Sequence, residues 1–145
     1  MKKILVPIDF SGMTTDIIKV AAEDAKCSGA ELVLFYVEEP EPDWIGFEPG
    51  PQVLRDLRAE DFHKHKQDLE ALEAALKSEG IKARAIMVQG GIVEKILEEA
   101  DKMDADLIVM GTHGHSALHD ALLGGISKNI LKATGRPILF VPKKK

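Results

Sequence analysis

The chain has 145 residues, of which 45% are hydrophobic and 30% charged, and its formal net charge is −5. This length and balance predict a single folded domain over residues 1–145 and exclude a disordered chain. The mild acidity argues against a nucleic-acid partner, because binding to phosphate backbones needs a basic surface.

Cys27 is the one cysteine of the sequence, so an intrachain disulfide and a multi-cysteine zinc site are excluded. A lone cysteine favours a reducing compartment, and we expect Cys27 to be a buried small apolar residue. Asp9 interrupts the apolar start too early for a signal peptide, and no stretch reaches the roughly 18 apolar residues of a membrane span. These features predict a cytoplasmic protein without a membrane partner.

Continuous apolar runs alternate with amphipathic stretches along the chain. The runs are typical of strands buried on both faces, and apolar residues at every third or fourth position are typical of helices. Ser11 is expected to cap the first helix, and Ser28–Gly29 to end it. The patterns predict strands over residues 4–8, 32–37, 83–88, 106–110 and 137–142, with helices over residues 12–28, 53–79, 92–100 and 125–134.

A proline-rich loop is predicted over residues 38–52, where Pro40, Pro42, Pro49 and Pro51 exclude regular structure. Its length suits a functional loop. Trp44 and Phe47 are expected to pin the loop to the body of the domain. His63 and His65, on the long helix that follows, are expected to be solvated or half-buried.

Strict alternation of strands and helices predicts an α/β fold with a parallel sheet covered by helices on both faces. Such a sheet binds its ligand beyond the carboxyl ends of the strands, where the strand order reverses. We therefore look for function near Asp9, Val37, Gly90 and Gly111.

The segment after the fourth strand is rich in glycine, with Gly111, Gly114, Gly124 and Gly125 directly before a helix. Gly111 and Gly114 are expected to adopt positive φ, so that consecutive N–H groups form an anion cradle beside the positive end of the helix dipole. A tight strand-to-helix connection explains the same glycines equally well. The sequence contains neither a Walker A loop nor a dinucleotide fingerprint in the first strand–helix turn.

Three segments in order make the chain resemble the universal stress proteins over nearly its whole length. They are Ile4-Leu5-Val6-Pro7-Ile8-Asp9-Phe10-Ser11, Gly111-x2-Gly114-x9-Gly124 and Arg136-Pro137-Ile138-Leu139-Phe140-Val141. The resemblance implies an open, Rossmann-like sheet of five strands in the order 3-2-1-4-5. It also implies homodimers formed through the last strand and, in one branch of the family, ATP binding without robust turnover.

The same resemblance assigns two ends to a nucleotide site. The adenosine end lies near Pro7, Ile8, Asp9 and Val37, with Asp9 near the ribose or a Mg²⁺ ion that accompanies the phosphates. The triphosphate end runs along Met110, Gly111, His113, Gly114, His115, Gly124, Gly125, Ile126 and Ser127.

Gly125 departs from the ATP-binding branch, which has Ser or Thr at this position. A hydrogen bond to a charged group is worth about 1.5–3 kcal/mol, so its loss weakens binding about ten- to a hundredfold. Ser127 is expected to bond the backbone rather than replace that hydroxyl. His115 stands where the family often has Arg or Lys, and it is mostly neutral at pH 7.

His113, His115 and His119 form a cluster with Asp120 nearby, but their loop positions favour polar histidines over a metal site. No positioned nucleophile or acid–base pair is evident, so we do not expect an enzyme. The favoured function is a dimeric stress-response module that binds an adenine nucleotide, ATP first. The alternatives are an interaction protein with a vestigial pocket, which captures protein partners through the 38–52 loop, and a slow ATPase.

Overall fold

Five parallel strands form the centre of the structure, in the order β3-β2-β1-β4-β5. The computed structural model describes residues 2–39, 52–114 and 123–143, with the backbone alone for residues 52–58. The predicted α/β class and strand order are confirmed. The elements are β1 (Lys3–Ile8), α1 (Thr14–Ser28), β2 (Glu31–Glu38), α2 (Gln52–Ser78), β3 (Ala83–Gln89), α3 (Ile92–Lys102), β4 (Leu107–Gly111), α4 (Gly125–Ala133) and β5 (Ile138–Val141).

Side chains alternate along each strand, so a continuous apolar run makes both faces of the sheet apolar. Helices cover both faces. Leu32 and Leu34 of β2 point to one face and pack with α1 and α2. Val33 and Phe35 point to the other face and pack with α3 and α4. The inner strands β1, β2 and β4 are therefore apolar on both faces, as the continuous runs predicted.

The start of α1 differs from the prediction. The helix begins at Thr14, and Met13 occupies the cap position without a side-chain hydrogen bond. Ser11 acts one turn earlier: its hydroxyl oxygen accepts the N–H of Met13 at 3.4 Å and its carbonyl accepts the N–H of Thr14 at 3.1 Å. The Asp9 carboxylate accepts the N–H of Ser11 at 2.9 Å, so residues 9–13 form a turn shaped by Asp9 before the helix starts. The predicted end is confirmed, since Gly29 has a left-handed φ of 74° and its N–H bonds the Ala25 carbonyl.

Cys27 is exposed, so the prediction of a buried residue is wrong. The buried face of α1 carries Ile17, Ala21 and Ala25. Cys27 lies two positions after Ala25, a rotation that takes it to the solvent side of a helix.

Both ends of the predicted proline-rich loop belong to regular elements. Glu38 is the last residue of β2 and pairs with Gln89, while Gln52 begins α2. The body of the loop, with Trp44 and Phe47, lies outside the described residues.

A proline separates the two central strands at their carboxyl ends. The Lys3 carbonyl accepts a hydrogen bond from Asp106, so odd-numbered residues of β1 turn their backbone groups toward β4. Pro7 has no N–H to give on that side, and the pairing of β1 with β4 stops at Leu5 and Ile108. Pairing of β1 with β2 continues to Ile8 and Tyr36. A crevice therefore opens between β1 and β4.

Within residues 2–39, 52–114 and 123–143, no helix combines the length and the apolar character needed to cross a membrane.

The outer edge of β3 is bonded by a side chain of α2. Oε2 of Glu73 accepts the N–H of Ala85 at 2.8 Å, and Oε1 accepts a hydrogen bond from Lys77 at 2.7 Å. The bond from Lys77 and the bond from Ala85 lower the pKa of Glu73 against the opposing effect of burial. Glu73 thus protects an edge strand as long as it stays ionised.

We predict that Glu73→Ala lowers the free energy of unfolding by about 1 kcal/mol at neutral pH, and that Glu73→Gln, which keeps an acceptor oxygen, lowers it less. A lowered pKa in the folded state stabilises the protein above the ordinary value of 4.5, and the gain is lost as the pH falls through the folded value. Urea unfolding of both variants, with the exposed Glu70→Gln as control, measures this. If the free energy of unfolding of Glu73→Ala stayed as far below that of the wild type in acid as at neutral pH, the result would contradict this role of Glu73.

Candidate functional site

A pocket of about 360 Å³ lies at the carboxyl ends of β1, β2 and β4. This volume is in the range of small-ligand pockets, about 300–1,000 Å³. Every site residue predicted from the sequence lines it, except His115, which lies outside the described residues. The lining contains Pro7, Ile8, Asp9, Val37, Met110, Gly111, His113, Gly114, Gly124, Gly125, Ile126 and Ser127.

The sequence did not indicate the remaining lining residues. Phe35, Tyr36, Glu38 and Glu39 come from the end of β2, next to the predicted Val37, and Ile17, Ile92 and Ile96 come from α1 and α3. The neighbours of Val37 could have been proposed from strand adjacency. The helical spacing of the isoleucines in α1 and α3 predicts only that they are core residues. Their place in the pocket wall follows from the packing of these helices on the sheet.

Gly111 and Gly114 do not have the positive φ that the sequence suggested. Among the described residues, the glycines with positive φ are Gly29, Gly80 and Gly90. Close packing explains why they are glycines. A β-carbon at Gly114 would lie 2.5 Å from Oδ2 of Asp9, and one at Gly111 would lie 3.1 Å from Ile17 Cδ1. These glycines therefore make room for the Asp9 carboxylate and for the α1 core.

The first turn of α4 faces the pocket with Gly125, Ile126 and Ser127. Gly124 is the cap residue and contributes no side chain, and the helical bonds begin with Lys128 N–H to the Gly124 carbonyl at 2.9 Å. Helix geometry leaves the first N–H groups of such a turn without an intrahelical acceptor, at the positive end of the dipole. Backbone amides of this turn therefore border the pocket with N–H groups that could donate to an anion.

Ser127 is buried and its hydroxyl donates to the Gly111 carbonyl at 2.8 Å. This bond ties the start of α4 to the end of β4, so the hydroxyl hydrogen is not available to a phosphate. Gly125 is different: a β-carbon there would meet no heavy atom of the described residues within 4 Å. The space beside Gly125 is therefore large enough for a side chain, although the residue is glycine.

Val37 follows the last residue of β2 that pairs with β1. The Glu38 carbonyl accepts the N–H of Gly90 on the β3 side, so the alternate residue Val37 turns its backbone toward the β1 side. Pairing with β1 ends at Tyr36. The edge of Val37 therefore borders the pocket, in an apolar part that Pro7 and Ile96 share.

His113 is engaged by its neighbour, with Nδ1 2.9 Å from the Thr112 hydroxyl oxygen in hydrogen-bonding geometry. Among the described residues, no three His, Cys, Asp or Glu side chains are grouped so as to hold a metal ion. His115, His119 and Asp120 lie outside these residues.

Beside the pocket, Phe10, Tyr36, Glu38 and His65 form an aromatic and polar cluster that the sequence did not indicate. The Phe10 and His65 rings stack with centroids 5.0 Å apart, and Tyr36 Oη lies 3.1 Å from His65 Nδ1. Oε2 of Glu38 is 3.5 Å from the same nitrogen. Phe10, which directly follows Asp9, has φ 56°, an unfavourable conformation for a non-glycine residue. The cluster fixes the turn that carries Asp9.

The cluster also keeps Tyr36 protonated. Burial is the largest cause that raises the pKa of Tyr36 above its ordinary value of 10.0, followed by a hydrogen bond to Glu38 and by the negative charges of Glu38, Asp9 and Asp61. The neutral phenol is therefore the stable form in the folded protein.

We predict that folded protein shows less tyrosinate absorbance than unfolded protein at the same pH above 10.0, because folding raises the pKa of Tyr36. Tyr36 is the single tyrosine of the chain, so an ultraviolet titration reports it alone. Since its pKa is raised on folding, stability falls as the pH rises above 10.0. Glu38→Gln should bring the titration back toward the ordinary value, and Tyr36→Phe should abolish the signal. Ionisation of Tyr36 near its ordinary pKa, while circular dichroism still reports a folded chain, would contradict this.

Comparisons with known proteins assign the family. The universal stress protein family model matches residues 1–142. Universal stress protein MJ0531 of Methanocaldococcus jannaschii is 32% identical over 99% of this chain and 84% of its own length. The solved structure of MJ0577 from the same organism superposes with a TM-score of 0.83, at 29% identity, over 99% of this chain and 97% of that one.

Two further solved relatives hold nucleotides. One is a universal stress protein in complex with cAMP (TM-score 0.70, 24% identity, covering 97% of this chain and 96% of that one). The other is the Archaeoglobus fulgidus protein in complex with dAMP (TM-score 0.65, 19% identity, 97% of each chain). At these identities the likeness concerns the fold. With the family match over residues 1–142, we conclude that the chain belongs to the universal stress protein family.

Proposed function

We propose that this chain binds an adenine nucleotide in the pocket and acts as a dimeric stress-response module rather than as an enzyme. The observation that carries the proposal is the two-part pocket at the strand ends. One part is apolar and bordered by the Val37 backbone, and the other is formed by glycines and the first turn of α4. A base fits the first part and a phosphate the second. The cAMP and dAMP complexes of relatives support this class of ligand.

ATP is the first ligand to test, by equilibrium dialysis beside ADP and AMP, with and without Mg²⁺. We propose that the residues lining the pocket bind the ligand, together with His115, which the sequence suggests. The proposed location is the cytoplasm. Absence of binding of all three nucleotides at millimolar concentration would overturn the nucleotide function.

We predict that Gly125→Ser tightens nucleotide binding about tenfold or more, because it supplies a hydroxyl donor to a charged phosphate in space that is open. Gly125→Ala is the matched control, since it adds the β-carbon without the hydroxyl. Gly114→Ala should weaken binding while the chain stays folded, because the new β-carbon meets the end of the Asp9 side chain. Equal affinities of the Ser and Ala variants at position 125 would contradict the role given to α4.

The outer edge of β5 is the proposed dimer surface. Within the described sheet, β5 pairs with β4 and lies at the edge, and Leu139 on it is 36% exposed. An apolar edge strand readily pairs with a second copy.

We predict a dimer at micromolar concentration in analytical ultracentrifugation, and a shift to monomer in Leu139→Lys, which places a charge in the interface. Gln89→Lys adds the same charge to the opposite edge strand and should leave the dimer intact. A monomeric wild-type chain would overturn this assembly.

A further inference from the structure

Three aromatic rings from three different elements meet beside the pocket. Phe10 belongs to the turn after β1, Tyr36 to β2 and His65 to α2, and the ring centroids lie 4.9 or 5.0 Å apart in each pair. The Phe10 and His65 rings stack with an angle of 7° between their planes. His65 therefore contacts, from the side of α2, the residue that follows Asp9 of the pocket.

The turn that carries Asp9 depends on this contact. Phe10 has φ 56°, and a non-glycine residue keeps such a conformation only where its surroundings hold it. The Asp9 carboxylate accepts the N–H of Ser11, so the residues on either side of Phe10 are bonded to each other. A change in the stack of Phe10 on His65 is thus transmitted to the Asp9 carboxylate.

The hydrogen bonds of the cluster depend on the charge of the His65 imidazole. Nδ1 lies 3.1 Å from Tyr36 Oη and 3.5 Å from Oε2 of Glu38, a buried oxygen without a hydrogen-bond donor among the described residues. When Nδ1 carries no hydrogen, it accepts the Tyr36 hydroxyl hydrogen. A protonated ring donates from Nδ1 to Tyr36 Oη instead, which frees the hydroxyl hydrogen to turn toward Glu38. Protonation therefore gives Glu38 both a donor and an opposite charge.

The ionisable groups that face His65 in the described part of the chain come from three elements and are acids. They are Tyr36 and Glu38 of β2, Asp9 of the turn after β1, and Asp61 and Asp68, one helical turn before and after His65 on α2. Lys64 and Lys66 are exposed and lie about 100° to either side of His65 around the helix. A positive charge on His65 therefore lies among acidic groups, and histidine is the side chain that commonly gains this charge between pH 8 and 5.

A ligand in the pocket has a direct effect on Glu38. Tyr36 and Glu38 both line the pocket, and the Glu38 side chain is 28% exposed, so a bound ligand displaces water from the carboxylate. A carboxylate that loses water is stabilised by a positive charge beside it. Ligand binding and protonation of His65 thus favour each other, since such a coupling is reciprocal.

We propose that His65 is a positioning residue that makes the pocket responsive to pH: its protonated ring pairs with Glu38 and holds Phe10 and the Asp9 turn, so that the nucleotide binds more tightly in mild acid than in mild alkali. This inference rests on the proposed function, since it concerns the same pocket and ligand. It does not depend on the charge of the phosphate, because Glu38 follows Val37 at the end of the pocket proposed for the base.

The first test is calorimetric titration of the full chain with AMP at about pH 6 and about pH 8. His65→Phe keeps a ring that stacks on Phe10 but cannot take a proton. We expect the ratio of the dissociation constants, pH 8 over pH 6, to be about two- to fivefold larger in the wild type than in this variant, the gain of a half-exposed ion pair. Titration of the AMP phosphate and of His113 is common to both proteins and cancels in the comparison.

Two further variants separate this role from a general effect. His63→Phe is the matched control, because it makes the same substitution at an exposed position two residues earlier on α2, and it should keep the wild-type ratio. Glu38→Gln should lower the ratio as His65→Phe does, and the double variant should lower it no further, because the two residues act as one pair.

The second test needs no ligand. In the free ¹⁵N-labelled wild type, the amide shifts of Phe10 and Ser11 should follow the titration of the His65 ring. The same amides should lose this step in His65→Phe, with circular dichroism to verify that the variant is folded. This measurement reports the link between His65 and the Asp9 turn directly.

An equal ratio in the wild type and His65→Phe, or Phe10 and Ser11 amides that do not respond as His65 titrates, would overturn this role while leaving the nucleotide function intact. Failure of AMP to bind at either pH would overturn the proposed function. The amide titration of the free protein would then still decide whether His65 controls the Asp9 turn, so the two failures are distinguishable.

Discussion

The missing amide hydrogen of Pro7 is the constraint on which the site depends. It ends the hydrogen bonding of β1 with β4 after Leu5 and Ile108, while β1 stays paired with β2 up to Ile8. Gly111, Gly114 and the first turn of α4 line the crevice, together with the end of β2. The Ser127–Gly111 hydrogen bond then holds α4 at the end of β4. The reversal of strand order between β1 and β4 gives the crevice its place in the sheet, and the missing N–H of Pro7 lets the two strands separate there.

Much of the fold could be predicted from local patterns, because strands buried on both faces are continuous apolar runs. The runs at residues 4–8 and 32–37 correspond to β1 and β2, and the end of α1 follows from Gly29. Strand order does not follow from such patterns, and it came from the family resemblance. The last matched segment has a structural role as well. Arg136 donates hydrogen bonds to Asp101, Asp104 and the Ala105 carbonyl, so it joins the α4–β5 connection to the end of α3 and the turn after it.

The details of the site were less predictable, because they depend on contacts between distant residues. Gly114 is a glycine because Asp9, more than a hundred positions earlier, occupies the space of its β-carbon. Tyr36 and His65 are 29 residues apart and meet through the packing of α2 on β2, and neither has a local motif. Ser11 lies in a turn that the Asp9 carboxylate holds through the Ser11 N–H, and the helix itself starts three residues later, at Thr14.

In the proposed function, the phosphate of the ligand is attracted by backbone amides of the first turn of α4, which line the pocket with Gly125, Ile126 and Ser127. The most direct measurement is the set of amide chemical shifts in the ¹⁵N-labelled protein as AMP is added. The account predicts that the largest shifts occur at the N–H groups of Gly125, Ile126 and Ser127, with smaller ones at Val37. Shifts concentrated on α2 or β5, with the first turn of α4 unchanged, would contradict it.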